Sequence, residues 1–407
     1  MSDTLAAAGP GAQKIAWAAH HMPLLDALRE ELSAERPFDG MRIAMSIHLE
    51  AKTACLAMLL RDCGAQVAVT GSNPLSTQDD VAQALAAEDG IDVFARHGVN
   101  EEEYTEHLLA VLDRRPHLIL DDGGDLVAQL LAAPPKELLG GCEETTTGVS
   151  RLRALHRDGR LPFPMFAVND ARMKHLFDNR YGTGQSVWDA IMRSTNRLLA
   201  GARVVVAGYG WCGRGIALRA AGLGARVTVC EVDPVRAVEA RMDGFDVAPV
   251  AEAVRSAQFL VTATGCEDVV GEDALRDAAD GLLLANAGHF NVEVPVTTLA
   301  RLATSRCEPR PGIVEYTLEN GRRLFLLGEG RLVNLVLGDG HPIEIMDISF
   351  AVQTLTLCHL LSRSPLAPGV YDVPAEIDRR IAQMKLDSLG LHIDSLSAEQ
   401  QRYLDAA

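Results

Sequence analysis

Short apolar runs alternate along the chain with longer stretches whose apolar positions recur at helical spacing. In the first half the runs are Met41–Ile47, Gln66–Thr70, Val93–Arg96, Leu118–Leu120 and Met165–Val168. Helical patterns lie between them, over Ala51–Asp62, Asp79–Ala87 and Glu101–Arg114 for example. Further on, Val204–Ala207 gives way to a glycine turn and a helical pattern through Leu223, and a second run, Ala225–Val229, follows. More runs stand at Phe259–Thr262 and Leu282–Ala285, and a long helical run covers Ile345–Leu361. Met384–Leu404 reads as a small helical appendage. Continuous apolar runs separated by helices are the mark of parallel strands buried on both faces. The pattern predicts an α/β chain of two doubly wound, Rossmann-like units with a small C-terminal helical segment.

The glycine turn changes this from a fold statement to a chemical one. It reads Gly208-Tyr209-Gly210-Trp211-Cys212-Gly213, and the second run ends at Glu231. Gly208 permits the tight turn, Gly210 lets backbone approach a pyrophosphate, and Gly213 lets helix and strand pack closely. The helix N-terminus favours phosphate charge. Glu231 can bond both ribose hydroxyls and would repel a 2′-phosphate, so NAD is favoured over NADP. A structural crossover that binds no dinucleotide is the bland alternative.

Bulk properties narrow the partners. The chain has 407 residues, 48% hydrophobic and 23% charged, with a net charge of −17. That argues against non-specific nucleic-acid binding and against anionic membrane surfaces. No apolar run is expected to span a membrane, and Met1–Gly11 lacks the basic start and apolar core of a signal peptide. Eight scattered cysteines form no Cys-x-x-Cys pair. Neither a metal site nor a disulfide framework is expected, and a reducing cytoplasm is.

Polar clusters fall at equivalent places in the first unit. His48–Thr53 follows the first run, Asn73–Asp80 the second, Asp121–Asp125 the fourth and Val168–Asp170 the fifth. In open α/β sheets ligands bind beyond the carboxyl ends of the strands, so these clusters converge on one ligand. Asp79 alone could merely cap a helix.

Those words, with Glu143-Glu144-Thr145-Thr146-Thr147-Gly148, Val168–Asn179, Gly288-His289-Phe290 and Gly330–His341, resemble the S-adenosylhomocysteine hydrolase family. The resemblance covers about residues 12 to 404 and is nearest to a shorter subgroup known from thermophilic bacteria and archaea. It implies a closed redox cycle on tightly held NAD: oxidation of the nucleoside 3′-hydroxyl, loss of the C4′ proton, departure of the 5′-thiol, addition of water and return of the hydride. It also implies a partition into a substrate domain (1–182 and 337–381), an NAD domain (183–336) and an oligomerisation segment (382–407).

Roles follow from the resemblance by position. Lys174 resembles the group that takes the 3′-hydroxyl proton, and its spacing from Asp178 lets both face one ligand if the segment is helical. Asp178 and Glu144, with Thr145 beside them, resemble the residues on the ribose hydroxyls. Asp122 matches the C4′ base, and His48 and His289 the pair serving C5′. Glu50, Lys52, Thr53, His341 and Met346 are the remaining substrate-side expectations, His341 as purine contact and hinge. Cofactor contacts are expected from Thr145, Thr146, Thr147 and Asn179. Gly208, Tyr209, Gly210, Gly213 and Glu231 join them, as do Thr264, Gly265, Ala287, Gly288 and His289. Asn334 resembles the amide on the nicotinamide carboxamide, and Asn169 a supporting group.

Departures concentrate at the purine. Longer members carry Thr and Glu where this chain has Glu50 and Lys52, and the run Ile343-Glu344-Ile345-Met346-Asp347 is more charged than usual. A lysine only donates, as does the adenine amino group, so direct contact would be poorly matched. Lys52 could pair with Glu50, Glu344 or Asp347, or bond the 6-oxo group of hypoxanthine. Thr183 replaces a cysteine, and the chain stops at Ala407 without the long members' tail. A homo-oligomer, tetramer or dimer, is implied by resemblance alone. The rival readings are a paralogue running the same cycle as a dehydratase in nucleoside-antibiotic biosynthesis, a non-catalytic NAD-binding regulator, and a dehydrogenase that releases NADH.

Overall fold

The computed structural model describes residues 9–406. Its strands are β1 (Arg42–Ser46), β2 (Gln66–Thr70), β3 (Ile91–Val93), β4 (Leu118–Asp121), β5 (Gly140–Glu143), β6 (Pro164–Ala167), β7 (Arg203–Ala207) and β8 (Arg226–Cys230). They continue with β9 (Asp246–Val247), β10 (Phe259–Thr262), β11 (Leu282–Asn286), β12 (Ala303–Arg310), β13 (Ile313–Leu318), β14 (Arg323–Leu327) and β15 (Gly369–Asp372). Two sheets result. One runs β15-β6-β5-β4-β1-β2-β3 and is parallel throughout; the other runs β12-β13-β14-β11-β10-β7-β8-β9, parallel except for the β12-β13-β14 edge. Strands β4, β6, β10 and β11 are buried along their whole length, down to the polar Asp121, Thr262 and Asn286 that end three of their apolar runs.

Several expectations shift. The third strand is Ile91–Val93, so Phe94–Arg96 lies outside it. Strand β5 carried no sequence signal because its first two residues are glycines. A Cβ on Gly141 would lie 2.3 Å from the Ile119 carbonyl oxygen, so the close approach to β4 excludes a side chain there. The appendage is helical and consists of two helices, Ala375–Ser388 and Ala398–Asp405. The first runs unbroken past residue 382, where a separate segment was expected to begin, and buries Ile377 and Ile381 against the first unit.

The helix Ile343–Arg363 is, among the described residues, the one long and apolar enough to cross a membrane by length and composition. It is a core helix, with Phe350, Val352 and Leu357 buried in the first unit. Its Asp347 accepts the backbone N–H groups of Leu24 and Leu25 at 3.2 and 3.0 Å. Asp347 thereby caps the distant helix Pro23–Glu35, whose own preceding residue, Met22, has no capping side chain. Burial raises the Asp347 carboxyl to about 6, against those N–H donors.

The chain passes between the sheets twice, entering the second through the helix Thr183–Thr195 and returning through Ile343–Arg363. At the first passage the helices Thr183–Thr195 and Trp211–Gly222 nearly touch. A Cβ on Gly184 would sit 2.6 Å from the Gly215 oxygen, and one on Gly215 only 1.8 Å from the Arg180 oxygen. Gly215→Ala should therefore cost about 1–3 kcal/mol or more. Gly222→Ala, on the same helix with nothing within 4 Å, should be neutral or slightly stabilising. Thermal denaturation of both variants checks the contrast; equal midpoints would contradict it.

Candidate active site

The carboxyl edges of the two sheets face one cavity of about 1130 Å³. Its lining brings together His48, Glu50, Lys52, Thr53, Asp122, Glu144, Lys174, Asp178, His341 and Met346 from the substrate-side expectations. From the cofactor side come Thr145, Thr146, Thr147, Asn179, Gly208, Gly210, Glu231, Thr264, Gly265, Ala287, Gly288, His289 and Asn334, and Asn169 lies among them. Tyr209 and Gly213 do not line it. Tyr209 turns inward, its hydroxyl donating to Asp243 at 2.7 Å. Gly213 packs behind the turn, where a Cβ would meet the Gly208 oxygen at 1.9 Å.

One cluster is built on Lys174. Lys174 ends a short α-helix, and His175–Gly182 continues it as a π-helix. The wider π turn lets positions four and five ahead share a face. Lys174 Nζ accordingly reaches Asp178 at 3.1 Å and donates to Asn179 Oδ1 at 2.9 Å. Glu144, after β5, stands 3.7 Å from the same nitrogen. Burial opposes the ammonium, but Asp178 and Glu144 outweigh it and hold the Lys174 pKa above its ordinary value. Burial likewise raises Asp178, yet Lys174 and His341 pull it well below the carboxylate range. Burial wins at Glu144, raised to about 8 despite Lys174. His341 bridges Asp178, at 3.2 Å, and Thr183, also at 3.2 Å.

A second cluster centres on Asp122, in the turn after β4. Its Oδ2 lies 3.3 Å from His48 Nε2 and accepts the Ser72 hydroxyl at 2.9 Å; its Oδ1 lies 4.0 Å from His289. The three facing groups lie within 4.8 Å of one another, close enough to exchange protons. Burial lowers His48 to about 3 and His289 to about 4, the latter against the pull of Asp122, so both imidazoles are neutral. Burial raises Asp122, offset in part by His289 and Ser72. Gly123 must be glycine: a Cβ would lie 2.3 Å from His289 Nε2.

The third cluster lies at the start of the helix Ala51–Asp62. Glu50 caps it through Lys52 N at 3.1 Å and pairs with Lys52 Nζ at 2.7 Å. The same nitrogen donates to the Asp339 carbonyl at 2.8 Å. Of the partners foreseen for Lys52, Glu50 is the one it meets. Asp347 caps Pro23–Glu35, and Glu344 is exposed.

Several contributors had not been singled out. Gln353 donates to Glu144, and Ser349 donates to Asp178 at 2.8 Å. With Met346 they form a helical stripe, and two polar residues spaced along an apolar run were the available signal. Glu293 accepts Thr264 N and Gly265 N at 2.9 and 2.8 Å, and Asn286 binds the Gly288, Phe290 and Gly330 carbonyls. These two buried side chains hold the loops that carry the cofactor-side residues and His289.

The lining fits a dinucleotide. A Cβ on Gly210 would meet only Arg236 Nη1, at 3.7 Å, so backbone is open for close approach. Glu231 holds the turn through Tyr209 N at 2.7 Å while still facing the cavity. Asn334 donates to Ser186 at 3.1 Å, while its buried Oδ1 has no partner among the described residues. That leaves an acceptor suited to a carboxamide N–H.

A dinucleotide edge opposed, across one cavity, by a lysine, paired acids and two neutral histidines defines an NAD-dependent enzyme whose cofactor and substrate meet inside the protein. Comparisons with known proteins agree. The profile of the S-adenosyl-L-homocysteine hydrolase NAD-binding domain matches residues 179–340, and that of S-adenosyl-L-homocysteine hydrolase matches residues 2–137. The chain is 58% identical to an adenosylhomocysteinase of Thermotoga maritima over 97% of its length and 98% of the relative's. It is 52% identical to an S-inosyl-L-homocysteine hydrolase of Methanocaldococcus jannaschii, covering 97% of this chain and 96% of the relative. The chain belongs to the S-adenosyl-L-homocysteine hydrolase family, and NAD is its cofactor.

The buried acids predict a pH effect. Burial raises Asp121 to about 7 and Glu143 well above its ordinary value, reinforced at Glu143 by Asp121 and Asp122. Each raised acid keeps its proton in the folded chain after the unfolded chain has lost it. Stability is full below the unfolded pKa and is lost as pH rises through the folded one, so the NAD-free protein's thermal midpoint should fall between about pH 5 and pH 8. Glu143 Oε1 accepts Gly123 N and Thr145 N, both at 2.9 Å, and Oε2 has no partner among the described residues. Glu143→Gln mimics the neutral acid and should flatten part of that fall. An unchanged slope in calorimetry would contradict the assignment.

Proposed function

We propose that the chain hydrolyses a purine-nucleoside thioether to nucleoside and homocysteine through the closed redox cycle, with the site residues in the roles assigned by position. The observation that carries this reading is Asp122, set between two neutral histidines and facing the Lys174 cluster in one cavity. Residues 1–182 and 337–381 form the substrate side in this reading, and 183–336 the NAD side. A homo-oligomer is part of it, supported by the exposed Val235, Met242, Leu391 and Ile393, and so is a reducing cytoplasm.

NAD supplies the hydride acceptor and donor for C3′; the protein supplies everything else. Lys174 is held charged by Asp178 and Glu144. A ribose diol that occupies Asp178 and Glu144 loosens that hold and frees Lys174 to exchange the 3′-hydroxyl proton. Asp122, raised by burial, takes the C4′ proton. The thiol sulfur leaves C5′ with a proton drawn from the histidine pair. Water then adds at C5′, and its proton returns through the same pair. The 3.3 and 4.0 Å separations let Asp122 re-equilibrate with either imidazole.

Glu50 and Lys52 place one acceptor and one donor side by side at the cavity wall. Adenine fits with its amino group on Glu50 and N1 on Lys52. Hypoxanthine fits with O6 on Lys52 and its N1–H on Glu50. We therefore propose that both bases are accepted. The relatives' two names are consistent with that reading.

Thiol release from S-adenosylhomocysteine and S-inosylhomocysteine in parallel tests the reading; release from neither would overturn it. Lys52→Met removes one bond to either base and should lower kcat/KM about tenfold for both substrates, about 1.4 kcal/mol each. Unchanged values would mean that Lys52 only braces Asp339. Lys174→Ala and Asp122→Asn should each lower turnover about 100-fold or more. They should differ in cofactor state: substrate leaves NAD oxidised in the first variant and accumulates reduced nicotinamide, read by absorbance, in the second.

A further inference from the structure

We propose that Arg151 and Asp125 form the subsite for the amino-acid end of the thiol, Arg151 taking its α-carboxylate and Asp125 its α-ammonium. This rests on the functional reading above. A thioether whose sulfur lies by Asp122, His48 and His289 must direct its remaining atoms past that cluster, and the loop Asp122-Gly123-Gly124-Asp125 leads outward from it. Asp125 opens the helix Asp125–Leu130 on the outer side of the loop. Arg151 comes from the neighbouring helix Thr146–Arg157, whose first residues line the cavity.

Arg151 does not itself line the cavity but is held beside residues that do, from three sides. Its Nη1 donates to the Gly123 carbonyl at 2.9 Å and to Asp125 Oδ1 at 3.3 Å. Its guanidinium carbon lies 4.2 Å from the centre of the Phe290 ring. Phe290 follows His289, and His289 packs on Gly123, so the guanidinium stands just outside the two residues that flank the reacting centre. Nη1 makes both hydrogen bonds. The edge formed by Nε and Nη2 has no protein partner among the described residues, and the side chain is 47% exposed. A guanidinium edge that is free, planar and held by an aromatic face is the geometry that receives a carboxylate in bidentate fashion.

The charge pattern is specific. Lys52 and Lys174 are matched by buried acids, and Arg236 lines the cavity by the glycine turn, on the cofactor side. Arg151 is the cation beside the Asp122 loop. Asp125, fixed by the Tyr104 hydroxyl at 3.0 Å, adds the anion beside it. A zwitterion meets a cation and an anion together; a plain alkanethiol meets neither. The pair would therefore select the amino-acid thiol over other cellular thiols during the synthetic direction.

The test runs the NAD-loaded protein in that direction with a purine nucleoside and either L-homocysteine or 1-propanethiol. Arg151→Met keeps the aliphatic stem over Phe290 and removes the charge. The expected result is a KM for homocysteine raised tenfold or more, with the KM for nucleoside and the rate with propanethiol unchanged. Arg151→Lys should restore part of the loss. Equal losses with both thiols, or no loss with either, would overturn the proposal and leave Arg151 as a brace for the Phe290 loop. A wild-type protein that joins neither thiol to a nucleoside would instead remove the functional reading, and the subsite with it.

Discussion

The burial of one ammonium among carboxylates is the constraint around which the site is organised. Lys174, Asp178 and Glu144 are each about 5% exposed or less. An ion pair removed from water is retained only where its remaining hydrogen-bonding capacity is met. Asn179, Ser349, His341 and Gln353 meet much of it, and they come from three parts of the chain. The cluster therefore demands that the π-helix, the β5 turn and the helix Ile343–Arg363 be in register together. Asp347 extends that demand outward by tying the same helix to Pro23–Glu35.

Electrostatics separate the two clusters of the cavity. Lys174 and Asp178 are charged and paired, with the raised Glu144 beside them. Around Asp122 the histidines are neutral and the acid is raised, so protons there are loosely held. This division suits a cycle in which one end must stabilise charge while the other passes protons back and forth.

Much of this was legible in the sequence where local chemistry and fold demand coincide. The β7 turn requires glycines for backbone reasons, so its function is written in residue type. The clusters after β1, β4 and β6 were legible and reach the cavity, whereas the one after β2 does not line it and acts from behind, Ser76 meeting His48 Nδ1 at 2.7 Å. Strand β5 was not legible, since close packing removed the side chains by which strands are recognised. Ser349, Gln353, Glu293 and Asn286 were missed because each acts through contacts distant in sequence. The pairing of Lys52 with Glu50 rather than Asp347 also depended on tertiary packing: Asp347 was already engaged by a helix N-terminus far upstream.

The two passages of the chain between the sheets are adjacent, since Thr183 and His341 touch across them at 3.2 Å. A body attached through two neighbouring strands of backbone has little freedom to slide or twist, and swings most easily about the line joining them. That line runs beside Asp178. Opening such a jaw would part the far rim, where Arg151 meets Phe290, by much more than it disturbs the lysine and acids close to the pivot. Such a swing would admit a bulky ligand while the most expensive electrostatic arrangement in the molecule stayed assembled.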